Sequence, residues 1–209
     1  MTQLVEKPTR GAARRGNDKV EERRAELAEA ALQTLSEQGY ARTSLREIAQ
    51  NSAFSHGVLH YYFRDKVDLI MYCVRQYKAA CVTRYDEVVA TAETAEELRT
   101  GFAAILAQTM RDDAAMHRLW YDLRTQSMFE ESFRDDVAAI DLSLERMIWR
   151  ILSHYAELSD QSLSLTPDVA YALCDGLFQH SLIRHLAGDA EAGTRLRTNV
   201  QSLLPTLLG

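Results

Sequence analysis

Apolar residues recur along this chain at the three- and four-residue spacing of helices and almost nowhere at the alternation of strands. The first such window opens at Asp18, with Glu21 placed three residues later in the pattern of a capping box. Val20, Leu27, Ala31 and Leu35 share one face, and Gly39 is expected to end the helix as a left-handed cap. Ser44 and Glu47 form a second capping box, before a short helix with Leu45, Ile48 and Ala49 facing inward. Residues 52–54 break it. Ser55 then caps a third helix ending near Tyr62, in which Leu59 and Phe63 turn back to the core. Asp65 caps a fourth, with Asp68 three later, and Val67, Leu69, Ile70, Tyr72, Val74 and Tyr77 carry it to about residue 90.

The remainder predicts five more helices. Thr94 with Glu97 opens one that runs to Met110, and another spans residues 113–127. A long helix from Glu130 to Ala156 is marked by a stripe of Phe133, Val137, Ile140, Leu144, Met147, Ile148 and Ile151. After a polar loop at 157–165, Thr166 caps a helix with Pro167 at its first position, running to Leu186 and Gly188. The last extends from Ala190 to Leu204 and stops at Pro205. The fold class is therefore all-α, with about nine helices.

Composition narrows this little. The 209 residues could form one domain or two, and an apolar share of 46% is ordinary for a globular chain. No apolar run approaches the roughly 20 residues of a membrane span, and no apolar core of a signal peptide opens the chain. Cys73, Cys81 and Cys174 form no CxxC pair, which suits reduced, buried thiols in a cytoplasm. The net charge of −6 is unevenly spread. Residues 1–66 hold 11 Lys/Arg against 9 Asp/Glu, and residues 67–209 hold 13 against 21. Residues 1–17, with Lys7, Arg10, Arg14 and Arg15, read as a flexible basic arm. Such asymmetry fits an end that faces nucleic acid and a body that does not.

Residues 43–66, TSLREIAQNSAFSHGVLHYYFRDK, have the spacing of a helix-turn-helix followed directly by another helix start. The run Thr43, Ser44, Leu45, Ile48 and Ala49, then Ser55, Gly57, Leu59, Tyr62, Phe63, Lys66 and Leu69, resembles the DNA-binding domain of TetR-family transcriptional regulators. That likeness covers residues 18–70. Ala53 stands where the family usually has Gly, and His60 where it often has Tyr. The segment from Leu119 to Phe133 further resembles the subgroup that includes the choline–betaine-operon repressor.

The resemblance implies a DNA-binding domain over 18–65 and a helical ligand-binding and dimerisation domain over 66–209. It implies a homodimer formed through the last two long helices, a palindromic double-stranded DNA operator, and a small-molecule effector that releases it. Lys66, Tyr62 and Thr43 would contact phosphates, with the caps Ser44 and Ser55 opening helices whose N-terminal amides face the same anions. Arg46, His56, Val58 and Tyr61 are candidates for base edges, and His60 for a titratable phosphate contact. Gly57 would permit close approach to the groove. Tyr61 and Tyr62 could equally be half-buried packing residues. His56 and His60 have the four-residue spacing of zinc ligands but no third ligand nearby, so no metal is assigned.

For the ligand cavity, Phe102, Leu106, Met110, Met116, Trp120, Leu123, Met128, Trp149, Tyr171 and Phe178 supply large apolar surface on successive helices. The same spacing serves simple core. A Trp-rich site could hold a quaternary ammonium by cation–π contact. His180 suits a core or interface position. The competing class is an all-α enzyme or carrier, but no HExxH, Gly-rich phosphate loop or GxSxG is present, and no cofactor is expected. A DNA-binding protein without an effector would leave the long acidic body unexplained.

Overall fold

The computed structural model describes residues 10–209, and within it helices account for nearly all regular structure. The backbone divides into two compact units, a first that ends at Cys73 and a second formed by Val74–Gly209.

The first unit contains α1 (Arg10–Arg42), α2 (Leu45–Gln50), α3 (His56–Tyr62) and the first turns of α4 (Lys66–Thr83). Residues 1–9 of the expected arm lie outside the described residues, whereas 10–17 extend α1 instead of preceding it. Leu27, Ala31 and Leu35 are fully buried, as their spacing predicts, but Val20 is 41% exposed and lies off the buried face. Gly39 has positive φ, as expected of a cap, yet its φ of 76° and ψ of 176° are extended and not left-handed helical. Only glycine adopts that region readily, and the backbone kinks there before a further turn reaches Arg42.

Packing in this unit follows from three short elements that cannot bury their apolar faces alone. Leu45 and Ile48 of α2, Leu59 of α3, Phe63 after it, and Leu69 and Ile70 of α4 close over the α1 stripe. Arg24 ties α1 to the start of α4: its guanidinium pairs with Asp68 at 3.3 Å and lies 4.8 and 4.7 Å from the Phe63 and Tyr72 ring centres. Asp65 caps α4 by accepting the Asp68 N–H at 2.8 Å.

In the second unit the expected fourth helix is not continuous to residue 90. It stops at Thr83, and α5 (Asp86–Thr91) follows as a separate six-residue helix. The break lets Tyr85 turn inward, where it is buried edge-on against Phe102, and lets Arg84 reach Asp113 at 2.6 Å and Thr109 at 3.1 Å. These tertiary partners outweigh the helical periodicity. α6 (Ala95–Asp112) opens on the predicted Thr94–Glu97 capping box. α7 (Ala114–Gln126) and a 3-10 turn at Glu131–Phe133 lead into α8 (Arg134–Leu158), whose predicted stripe from Phe133 to Ile151 is buried throughout.

α9 (Pro167–Leu186) starts with Pro167 at its first position, but Thr166 gives its hydroxyl proton to Asp168 and makes no side-chain cap. α10 (Ala192–Leu203) packs its Leu196 and Val200 face against α6 and α9. Gly193 leaves room there for the Arg111 guanidinium of α6, which an added Cβ would displace. Cys73, Cys81 and Cys174 are unbonded and buried. Among the described residues no helix is long and apolar enough to cross a membrane.

Candidate DNA-binding face and ligand cavity

The sequence places α2 and α3 by caps before packing fixes them. Ser44 accepts the Glu47 N–H at 3.2 Å while the Glu47 carboxylate accepts the Ser44 N–H at 2.7 Å, so two of the orphan donors at the start of α2 are satisfied. Ser55 does the same for α3 in part, accepting the Val58 N–H at 3.3 Å. In the turn between them Ser52 accepts the Phe54 N–H at 3.3 Å. Ala53 keeps negative φ, so this turn needs no glycine. Arg23 of α1 stacks 4.7 Å from the centre of the Phe54 ring and fixes the turn from behind.

With Leu59 and Phe63 buried, α3 turns its opposite side to solvent. His56, Gly57, His60 and Tyr61 are exposed there, Val58 and Tyr62 are half-buried, and Arg46 of α2 is exposed. Tyr61 is 81% exposed, which excludes packing as its role in this unit; its ring meets Tyr62 edge-on at 5.0 Å. The His56 and His60 rings stand edge to face at 4.4 Å. Gly57 has open space above it, since an added Cβ would find only Ser55 Oγ, at 3.9 Å. Nothing within the unit requires a glycine there.

Two expected phosphate ligands have partners within the unit. Thr43 is 2% exposed and donates its hydroxyl to the Gly39 carbonyl at 2.7 Å, holding the kink that follows α1. Lys66 donates to the Tyr40 carbonyl at 2.9 Å and lies 3.8 Å above the Tyr40 ring centre. Both hold the end of α1 in place. A period count cannot reveal this, because it reports which side of a helix a residue occupies and not what its tip reaches.

The second unit holds a small cavity of about 60 Å³ that opens partly to solvent. Of the expected residues, Leu106, Trp120, Tyr171 and Phe178 line it. Phe102, Met110 and Leu123 do not; they are fully buried in the packing between helices. Met116 and Trp149 are half-buried and also stand away from the wall. The aromatic and Met stripes thus divide between core and cavity.

Sequence reasoning missed the polar wall. Lys78 and His117 line the cavity although both are buried, and Asp175, Tyr121, Thr109 and Cys174 join them. Burial lowers Lys78 to about 8. Burial also lowers His117, helped by the charges of Lys78 and Arg84, to about 2, so its ring is neutral. Lys78 Nζ stands 3.5 Å from His117 Nδ1, and His117 Nε2 stands 3.3 Å from the Tyr77 hydroxyl. An ammonium only donates, so Nδ1 must accept and Nε2 carries the proton. On the opposite side Arg124 bridges two carboxylates, Asp175 at 2.5 Å and Asp141 at 3.2 Å. Tyr121 donates to Asp175 at 2.7 Å and Tyr171 to Asp141 at 2.6 Å. A lysine and a histidine at helical spacing carry no mark of burial in the sequence, which is why they escaped notice.

Residues 27–73, from the middle of α1 through the first turns of α4, match the family described as bacterial regulatory proteins, tetR family. The chain is a TetR-family regulator. Its likeness to BetI runs through both units: the HTH-type transcriptional regulator BetI of Paraburkholderia phymatum is 26% identical over 189 residues, 88% of this chain and 93% of that protein. Among solved structures, a TetR transcription regulator from Haloarcula marismortui superposes with a TM-score of 0.74 at 17% identity, covering 90% of this chain and 100% of that one. A transcriptional regulator from Saccharomonospora viridis in complex with choline gives 0.70 at 17%, covering 90% and 98%. At such identities these structures speak for the fold alone. For this TetR-family chain the exposed α3 lies inside the matched DNA-binding region, and the cavity lies outside it.

Proposed function

We propose that this regulator is a homodimeric repressor that binds a palindromic operator through α3 and is released when a small molecule enters the cavity of the second unit. The observation that carries the DNA-binding part is the solvent face of α3. A helix that is glycine at its second residue, with nothing above it, and that holds a tyrosine 81% exposed beside it, is shaped for contact with something outside the chain. Arg46, His56, Val58 and Tyr61 would meet base edges; Ser44, Ser55, His60 and Tyr62 lie where phosphates would pass. Thr43 and Lys66 hold the end of α1 in place.

Dimerisation is read from α9. One side buries Tyr171, Cys174, Phe178 and Leu182, while the other exposes Val169, Leu173 and Ile183 around the open Gly176 and the exposed His180. Apolar residues at helical spacing on the outer side of a helix mark a contact with another chain. Leu142 of α8, the other long helix packed on α9, is also exposed, so α8 and α9 would form the four-helix interface. Release follows from α4, which begins at Lys66 and carries Lys78 of the cavity wall further along. Reading adjacent major grooves requires recognition helices about 34–36 Å apart, so a small shift of α4 in each subunit lowers affinity.

The test uses the full chain and a random-sequence duplex, followed by fluorescence anisotropy at stepped salt. Affinity should fall steeply with salt, as counterion release requires. Arg46→Ala together with Tyr61→Ala should weaken it at every salt concentration. Binding that is absent at low salt, or indifferent to both changes, removes α2 and α3 from the interface.

A further inference from the structure

The charge balance of the cavity wall is asymmetric. Asp175 faces the cavity but is already occupied, accepting from Tyr121 and from Arg124. Asp141 is occupied in the same way by Arg124 and Tyr171. One guanidinium between two carboxylates leaves a negative charge over, yet the carboxylate oxygens that hold it are already taken up by hydrogen bonds. Lys78 is different. It is almost wholly buried and makes no direct ion pair among the described residues, with Asp175 and Asp141 attracting it only from further off. Its neighbours are a neutral imidazole nitrogen at 3.5 Å and the faces of Trp120 and Tyr77, 5.2 and 5.7 Å from their ring centres. A buried ammonium with so little around it is costly unless something else completes its shell.

A second donor stands in the same wall. Trp120 is 1% exposed, and its indole N–H has no hydrogen-bond partner among the described residues. Buried indole N–H groups nearly always find an acceptor. The Trp120 N–H thus lacks an acceptor and Lys78 has a single imidazole nitrogen for its three N–H bonds, while Leu144, Met147, Ile148 and Phe178 supply an apolar floor.

We propose that the cavity takes an apolar monocarboxylate, its carboxylate accepting from the Lys78 ammonium and the Trp120 indole N–H and its hydrocarbon body lying on Leu144, Met147, Ile148 and Phe178. This rests on the cavity being the effector site and adds the chemical class of the effector. The same wall disfavours a quaternary ammonium, because the cation would meet the Lys78 ammonium and would find the Asp175 oxygens already hydrogen-bonded by Tyr121 and Arg124.

The experiment is a thermal-shift and calorimetric series on the full chain with straight-chain carboxylates from butanoate to dodecanoate. Each is run beside its primary amide and its trimethylammonium analogue, with glycine betaine and choline included. At least one carboxylate should bind tenfold or more tighter than its amide. In Lys78→Met that preference should vanish while the amide still binds, which a loss of folding would not produce. Trp120→Phe should weaken the carboxylate, and the amide with it, since the amide carbonyl oxygen accepts the same N–H. Equal binding of carboxylate and amide in the wild type overturns the proposal. So does tighter binding of the trimethylammonium series or choline, an outcome that leaves the effector cavity itself standing. If no compound of any charge binds, the proposal and the cavity reading fail together.

Discussion

Replacing Gly57 with alanine separates what α3 needs for folding from what it needs for DNA. A Cβ at this position meets nothing closer than Ser55 Oγ at 3.9 Å, so the methyl group is accommodated without movement. Alanine restricts the unfolded chain more than glycine does and favours the helix, a gain of about 0.5–1 kcal/mol. The site is in the first turn of α3, where the gain falls toward the lower end of that range. At roughly 2–4 °C per kcal/mol for a chain of this size, Tm should rise by about 1–4 °C. The same methyl group would hold α3 away from the groove if the glycine exists for close approach. Loss of a tightly packed contact of that kind should weaken DNA binding at least tenfold, or about 1.4 kcal/mol. Calorimetry and anisotropy on one protein preparation measure both. A higher Tm with unchanged DNA affinity would refute the close-approach argument, and a lower Tm would refute the open space above Gly57.

Three further changes test other parts of the account. Ala53 has negative φ, so Ala53→Gly should lower stability by about 0.5–1 kcal/mol by adding freedom to the unfolded chain; a gain would mean the turn is strained. Lys78 is depressed from 10.5 to about 8 by burial, so the unfolded chain holds this proton more tightly between those values and stability from this residue rises with pH there. Lys78→Met should therefore stabilise the protein by up to about 3 kcal/mol at pH 7, with the advantage shrinking between pH 8 and 10.5 in chemical denaturation; an advantage constant with pH would contradict the burial of that charge. Leu173→Glu on the outer face of α9 should convert a dimer to a monomer in sedimentation velocity, and a dimer that survives the change would move the interface elsewhere.

Much of the fold was legible because local signals and long-range packing agree. The capping boxes at Ser44–Glu47 and Thr94–Glu97 and the buried stripe of α8 are such cases. Where they disagreed, a distant partner decided. Arg84 reaches Asp113 and Tyr85 reaches Phe102, which ends α4 at Thr83 where periodicity alone ran on. The exposed members of the α3 face were readable from the positions of Leu59 and Phe63, since burying two residues of a short helix fixes the opposite side. The roles of Thr43 and Lys66 were not, because their partners, Gly39 and Tyr40, stand at the end of another helix. In the cavity, periodicity identified apolar candidates but could not tell wall from core. Phe102 and Phe178 read alike in the sequence, yet only Phe178 faces the space.

The most direct test of a sequence-reading α3 is selection of bound duplexes from a random DNA pool by the full chain. A palindrome whose half-sites lie about one helical turn apart should be enriched, with Arg46→Ala and Tyr61→Ala relaxing the preference at defined positions within each half-site. Recovery of no preferred sequence, or of the same sequence with equal stringency by both variants, would contradict a sequence-reading α3.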